Sequence, residues 1–237
     1  MRTHHLGSAQ AISRKAKIAI RNSTQIRVNL PQPSPGTSAP PARTGDDTIG
    51  IAAMRTADPI RLAEPSLVHL RESLEVTSFV AVMGNRGPTI MRFEEPGLPV
   101  TVNVRAGSVM SLLWSATGRL FLAFLDESRV RKLAEEELAG APADLRALLD
   151  PADPIGRLQR EVLDAGCASV RDTNLRGISA VAAPLFDVHG HLVATLTALG
   201  ATGGFDSTLD GPIAIAVREE AKKVSAQLGF SPDKPTI

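Results

Sequence analysis

The sequence predicts an α+β fold in which helices flank an antiparallel sheet of about six strands. The first observation is a pair of apolar runs, residues 179–186 and 192–199, separated by a short polar stretch that contains Gly190. Glycine supplies the positive φ that a tight reversal needs, so the two runs are expected to form a β-hairpin. The second observation is the order of periodicities along the chain, which is helix, three strands, helices, three strands, helix. Because the elements are segregated rather than strictly alternating, the sheet is expected to be antiparallel.

The apolar runs of the hairpin also indicate where it lies in the sheet. Both are nearly continuous in small and branched apolar residues instead of alternating with polar ones. A strand that is apolar on both sides is covered on both sides, so we expect the hairpin to be central. Asp187, His189 and His191 mark its solvated end.

Composition bounds the class of protein. The 237 residues are 43% hydrophobic, which is enough for a substantial core. No run reaches the roughly 18 apolar residues of a membrane span, and the N-terminus lacks the apolar region of a secretory signal, so we expect a cytoplasmic protein without a membrane partner. The single cysteine, Cys167, excludes an internal disulfide and a cysteine-based zinc cluster, and we interpret it as a small buried residue.

Residues 1–48 are predicted to be a disordered tail, and residues 49–233 to be one folded domain. The tail carries seven basic and two acidic residues, and five prolines stand between positions 30 and 41. Such a composition is typical of a linker, and a basic tail either touches nucleic acid or is simply solvated. A winged helix-turn-helix needs about 60 residues with apolar periodicity on three helices, and this segment has neither.

The first half of the folded domain is predicted to be a helix followed by a meander. The helix begins at Asp58 and Pro59 and ends near Leu74, with Pro65 either kinking or restarting it. Three short antiparallel strands are predicted after it, at residues 77–83, 88–94 and 100–104.

A helix start at Ser115 is the first candidate for chemistry. Ser115 is a natural N-cap for the apolar helix that includes residues 120–125, so the N–H groups of Ala116, Thr117 and Gly118 are expected to point out of the helix end. Such an end favours an anion, although an ordinary capped helix explains the same residues. The preceding Leu112, Leu113 and Trp114 are expected to form an apolar flap.

The second half continues the α+β pattern. Asp126 is expected to cap a charged helix over residues 127–138, and Gly166 to end another over residues 155–165. A strand at residues 167–171 precedes the hairpin. A final helix begins at Gly211 and Pro212 and runs through Leu228.

Two of these stretches carry a family resemblance. The glycine at position 177, the sequence Ile-Ser-Ala-Val-Ala-Ala-Pro-Leu-Phe-Asp after it, a glycine turn and a second apolar strand resemble the effector-binding domain of IclR-type transcriptional regulators. The run Ser-Ala-Thr-Gly from position 115, followed by a basic residue and an apolar helix, is similar to a second stretch of that family. The resemblance covers about residues 49–230. It implies a GAF-like fold, a small-molecule effector and a homo-oligomer, either a dimer or a tetramer.

The resemblance also implies which residues bind the effector. Carried over by motif, Ala116, Thr117 and Gly118 would be backbone donors, and Ile178 and Ala180 would form the pocket wall. Thr195 and Thr197 alternate on the second hairpin strand, where they either place hydroxyls inward or simply fill the strand. A small organic acid would be held by N–H groups and the helix dipole rather than by a salt bridge, and an apolar effector is the other expectation.

The sequence offers no catalytic constellation, metal set or cofactor fingerprint. His189 and His191 lie in a turn without a third ligand, and the run Glu135, Glu136 and Glu137 is interpreted as solvated charge. The interpretation we favour is a ligand-sensing regulator domain, not an enzyme, whose contact with DNA is weak or indirect because no helix-turn-helix is found. A truncated or frameshifted regulator without function, and a small enzyme on a GAF-like scaffold, remain as alternatives.

Overall fold

The computed structural model describes residues 58–97 and 105–231. The predicted tail, the domain boundary near residue 48 and the predicted strand at residues 100–104 therefore lie outside the described residues. Six helices and five strands follow one another along the described chain: α1 (Pro59–Leu74), β1 (Thr77–Gly84), β2 (Gly87–Glu94), α2 (Ala116–Phe124), α3 (Ser128–Gly140), α4 (Ala143–Arg146), α5 (Pro154–Ala165), β3 (Ala168–Arg171), β4 (Ile178–Phe186), β5 (Leu192–Ala201) and α6 (Pro212–Gln227).

The five described strands form one antiparallel sheet in the order β2-β1-β5-β4-β3. The predicted α+β class is therefore confirmed. The β4–β5 hairpin occupies the interior of the sheet, with Ala182 of β4 opposite Thr197 of β5 and Phe79 of β1 opposite Thr197 on the other side. Residues 107–110 run beside the outer strand β2, because the Ile90 N–H donates to the Ser108 carbonyl and the Met110 N–H donates to the Pro88 carbonyl.

Helices cover both faces of the sheet, which explains the continuous apolar character of the hairpin. One core lies between the sheet and α2, α3 and α5, and its largest members include Phe79, Phe121 and Leu120. The other core lies between the opposite face and α1 and α6, around Leu67, Leu196 and Val217. Each such side chain contributes roughly 1.5–3 kcal/mol when it is fully buried.

Side-chain capping explains where three of the six described helices begin, namely α1, α2 and α5. The Asp58 carboxylate accepts a hydrogen bond from the Ile60 N–H at 2.9 Å, and α1 then continues through Pro65 for 16 residues without a restart. Asp153 caps α5, and Gly166 ends it in the left-handed conformation. The predicted cap of α3 is wrong: the cap position is Glu127 rather than Asp126, and it makes no side-chain capping bond.

Pro184 stands in β4, where a proline would normally remove a bond of the sheet. On one side it pairs with Thr195 of β5. On the other side, the pairing of β4 with the short strand β3 ends at Ala182, two residues before the proline. The far edge of β4 is therefore closed by a side chain instead of a strand: the Phe186 N–H donates to the hydroxyl of Ser225 on α6 at 3.1 Å. The proline is tolerated because β4 has only one neighbouring strand there.

In the described part of the chain, no helix is both long enough and apolar enough to span a membrane.

Candidate ligand-binding site

A cavity of about 210 Å³ lies between the sheet and the start of α2. Residues of the sheet, among them Phe79, Thr197 and Leu199, line one side, and residues 115–117 at the start of α2 line the other. Val109 and Leu175 stand at its edge and are each 48% exposed. Of the described residues that line the cavity, none carries a charge: Phe79, Ile90, Ser108, Val109, Met110, Ser115, Ala116, Thr117, Val170, Asn174, Leu175, Ile178, Ala180, Thr197 and Leu199.

The start of α2 supplies polar groups to this apolar space. The Ser115 hydroxyl accepts a hydrogen bond from the Gly118 N–H at 2.9 Å, as the sequence predicts for an N-cap. The N–H groups of Ala116 and Thr117 have no hydrogen-bond partner among the described residues. Free N–H groups at a helix start, together with the helix dipole, favour a negatively charged or strongly accepting group.

Gly118 is placed differently from the other two predicted donors. Its N–H is already donated to Ser115, and it does not line the cavity. A Cβ at this position would lie 1.9 Å from the carbonyl oxygen of Ser111. Gly118 therefore affects the site indirectly. Because glycine has no Cβ, the segment before α2 can pass close to the backbone of the helix.

The two threonines of β5 also differ from each other. Both are buried, but only Thr197 lines the cavity, where its hydroxyl and that of Thr117 share a hydrogen bond of 2.8 Å. The Thr195 hydroxyl is fully buried and has no partner among the described residues. The structure thus brings Ala116, Thr117, Ile178, Ala180 and Thr197 together around one cavity, and leaves Gly118 and Thr195 outside its lining.

The segment before α2, residues 111–115, is not a flap. Leu112, Leu113 and Trp114 are at most 6% exposed and belong to the core beneath α2. The prediction is wrong because these residues sit between two hydrogen-bonding groups that belong to separate helices. One is Glu137 of α3, and the other is Arg119 of α2.

Glu137 is the residue that the sequence interpretation missed. Its carboxylate accepts hydrogen bonds from the Ser111 hydroxyl and from the N–H groups of Leu112, at 2.8 Å, and Leu113, at 3.4 Å. It is therefore not a solvated charge like Glu135 and Glu136. A signal was present in the sequence, because Glu137 follows the buried residues Val130 and Ala134 at helical spacing.

Arg119 holds the same segment from the other side. Its Nε donates to the Leu113 carbonyl at 2.8 Å and its Nη1 donates to the Ser169 carbonyl at 3.4 Å. Burial lowers the pKa of the guanidinium from its ordinary value, and the nearby charge of Glu161 opposes that effect. The basic residue after the Ser-Ala-Thr-Gly run is thus structural, since it does not line the cavity.

Other candidate groups do not assemble into a reactive site. The rings of His189 and His191 lie near each other in the hairpin turn, with centroids 5.9 Å apart and a 41° angle between them, and the backbone N–H groups of both residues donate to Asp187. Burial raises the pKa of the Cys167 thiol, and the contact with Arg218 only partly offsets it. Within residues 58–97 and 105–231, no group of histidine, cysteine, aspartate and glutamate side chains is arranged to hold a metal ion.

A second, more polar groove of about 410 Å³ lies between α2, α3 and α5, with Arg131 and Arg160 on its walls.

Comparison with known proteins adds the family. The model of the bacterial transcriptional regulator IclR C-terminal domain matches residues 51–226. The chain belongs to the IclR family. The sequence resemblance that rests on the hairpin and on the helix start at Ser115 is confirmed.

Individual relatives agree with this assignment. The chain is similar to the crystal structure of Pseudomonas aeruginosa HmgR, at 36% identity and a TM-score of 0.70, covering 77% of this chain and 72% of that one. It also matches the DNA-binding transcriptional repressor YiaJ of Escherichia coli (strain K12), at 23% identity over 184 residues, which are 77% of this chain. The match spans 65% of that repressor's length. The Thermotoga maritima IclR structure, at 21% identity and a TM-score of 0.62, shares the fold, with 78% of this chain and 74% of that one covered.

Proposed function

We propose that this chain is the effector-sensing part of a transcriptional regulator and that it binds a small organic molecule in the cavity beside α2. The observation that carries the proposal is the contrast inside the cavity. Its lining is uncharged and mostly apolar, yet it includes Ala116 and Thr117, whose N–H groups at the start of α2 have no hydrogen-bond partner among the described residues. An effector with an apolar body and one carboxylate or other strong acceptor fits this contrast.

The chemistry of recognition follows from the lining. The acceptor group of the effector lies at the N–H groups of Ala116 and Thr117, where the helix dipole stabilises negative charge without a salt bridge. Its apolar body lies against Ile178, Ala180 and Leu199. The Thr197 hydroxyl can exchange its partner Thr117 for the ligand. Gly118 and Thr195 act on the site indirectly, from outside the lining.

The cavity is better suited to binding than to catalysis. Its hydroxyls belong to Ser108, Ser115, Thr117 and Thr197, and none of the described lining residues is a histidine, carboxylate, lysine or cysteine that could activate them. We therefore propose a sensor and not an enzyme. Several matched relatives are named as transcriptional regulators or repressors, and we propose that effector binding alters the geometry of a dimer or tetramer of this chain.

A panel of acids tests the binding claim. The full chain is titrated with acetate, butyrate, hexanoate and benzoate and with the corresponding amides, while its melting temperature is recorded. We expect at least one acid to raise the melting temperature by several degrees at millimolar concentration, because a ligand that binds only the folded state stabilises it. The amides should act more weakly, since they lack the negative charge that the helix start favours.

Two matched variants localise the effect. Val109→Trp places a bulky ring in the cavity edge, whereas Leu148→Trp places the same ring at a residue that is 62% exposed and outside the lining. The first should abolish the stabilisation and the second should retain it. A panel that leaves the wild-type melting temperature unchanged, or stabilisation that survives Val109→Trp, would contradict the proposal.

A further inference from the structure

Glu137 and the start of α2 are joined through residues 111–115, here called the clamped segment. A backbone N–H that is buried without a partner costs roughly 1–3 kcal/mol, so the carboxylate that satisfies two of them in this segment matters to its position. These N–H groups belong to Leu112 and Leu113, which are 3% and 0% exposed. Glu137 thus gives α3 a polar contact with the cavity side of the domain, whereas Glu135 and Glu136 of the same helix face solvent.

The carbonyl groups of the clamped segment are fixed as well. The Arg119 Nε donates to the Leu113 carbonyl. The Thr173 hydroxyl donates to the Trp114 carbonyl at 2.7 Å, and the Ser115 hydroxyl donates to the Ser111 carbonyl at 2.6 Å. Donors on one side and a carboxylate on the other hold the clamped segment in place, and Ser115 at its end is the cap of α2.

We propose that Glu137 is a positioning residue for the cavity: it holds the clamped segment so that the N–H groups of Ala116 and Thr117 point at the ligand, and it couples α3 to occupancy of the cavity. The positioning part concerns the protein without ligand, and the coupling part rests on the function proposed above. Coupling between two sites is reciprocal. If bound ligand favours the state in which Glu137 holds the clamped segment, the state in which Glu137 is released binds the ligand more weakly by the same factor.

The chain contains a single tryptophan, Trp114, and it lies inside the clamped segment. Its backbone N–H donates to the Ser111 hydroxyl, which in turn donates to Glu137. The indole side chain is buried. Tryptophan fluorescence of the full chain therefore reports on the surroundings of this one residue of the clamped segment. We measure acrylamide quenching and the emission maximum for wild type, for Glu137→Gln and for the control Glu136→Gln. Glu136 is solvent-exposed on the same helix and pairs with Lys132 at 3.9 Å.

Glu137→Gln should raise the quenching constant at least twofold and shift the emission to longer wavelength, while far-UV circular dichroism and cooperative urea unfolding persist. Glu136→Gln should match wild type. If Glu137→Gln does not fold, Thr173→Val tests the carbonyl side of the same clamp and should raise quenching in the same direction. Quenching equal to wild type in a folded Glu137→Gln or Thr173→Val protein overturns the positioning claim.

The coupling claim is tested with benzoate as the probe, monitored by calorimetry. We expect Glu137→Gln to weaken benzoate binding at least fivefold and Glu136→Gln to leave it unchanged. Equal benzoate affinity in wild type and Glu137→Gln overturns the coupling. Failure of wild type to bind benzoate or any other acid of the panel counts against the coupling and the proposed function together, while the tryptophan measurement still decides whether Glu137 positions the segment.

Discussion

Gly118 shows how one residue can shape the candidate site without touching a ligand. A Cβ on Gly118 would lie 1.9 Å from the Ser111 carbonyl oxygen and 2.5 Å from the Leu112 Cα. Both are backbone atoms, so neither can move away cheaply. We expect Gly118→Ala to destabilise the fold by about 3 kcal/mol, as overpacking in a tight interior does. Urea unfolding measures this. Gly140→Ala is the control, since Gly140 ends α3 in open space and the substitution should be neutral or stabilising. Equal stabilities of the two variants would contradict the packing argument.

The two buried threonines of β5 lead to opposite expectations. The Thr195 hydroxyl has no partner among the described residues, so Thr195→Val should stabilise the protein by about 1 kcal/mol. Thr197→Val removes the bond to Thr117 and leaves that buried hydroxyl unpaired, so it should destabilise by a similar amount. Thermal unfolding of the ligand-free variants measures both. A loss of stability in Thr195→Val would mean that its hydroxyl has a partner that the structure does not contain.

Residues whose partners are close in sequence could be predicted, and those with distant partners could not. Ser115 was identified as a cap because its partner, the Gly118 N–H, is three residues away. Glu137 accepts from the Leu112 N–H, 25 positions away. Arg119 donates to the Leu113 carbonyl, six positions away, but also to the Ser169 carbonyl, 50 positions away. The sequence shows a charge in each case but not the fold that buries it.

At the scale of elements, α1 and α6 are joined by a buried carboxylate. Glu220 of α6 is 5% exposed; it accepts hydrogen bonds from the Ser66 hydroxyl of α1 at 2.7 Å and from Lys223 at 2.6 Å, and His69 lies 3.8 Å away. Burial raises the pKa of Glu220, but the hydrogen bonds from Lys223 and Ser66 and the nearby positive charges outweigh burial. The pKa therefore lies below its ordinary value of 4.5.

This shift gives the stability contribution of Glu220 a pH dependence. Since the folded pKa is below the unfolded one, the contribution is complete above about pH 4.5 and disappears as the pH falls through the folded pKa. We expect Glu220→Gln to be less stable than wild type by about 1.5 kcal/mol at pH 7, with the difference shrinking as the pH falls below 4.5. Urea unfolding across that range measures it, with the exposed Glu219→Gln as control. A difference that does not change with pH would contradict the assigned cause.

Strands and helices were largely predictable because their apolar patterns match the layers that cover them. The continuous runs of β4 and β5 predicted strands buried on both faces, and both cores contact them. The cap of α3 and the supposed flap at residues 112–114 were mispredicted. Both depend on how separate elements pack together, which the local pattern does not contain.

At the scale of the whole molecule, the charge is unevenly distributed along the chain. Residues 1–48 carry seven of the 26 basic residues and two of the 25 acidic ones. Phosphate contacts by such a segment release counterions, so we expect the affinity for a DNA fragment to fall by about 10³-fold between about 50 and 200 mM salt. We expect little difference in affinity between a fragment from upstream of the gene for this chain and a scrambled fragment of the same length. Fluorescence anisotropy of labelled fragments measures this. Strong preference for the upstream fragment would contradict the expectation and would indicate a sequence-reading domain.

The central claim is that an acceptor group of an effector lies at the start of α2. Amide NMR of the deuterated, ¹⁵N-labelled full chain tests it directly, with the acid of the panel that raises the melting temperature most as the titrant. The account predicts that the amide signals of Ala116 and Thr117 shift the most, with smaller shifts at Ile178, Ala180 and Thr197, and that Val109→Trp removes these shifts. Largest shifts in the groove beside Arg131 and Arg160, with Ala116 and Thr117 unmoved, would contradict it.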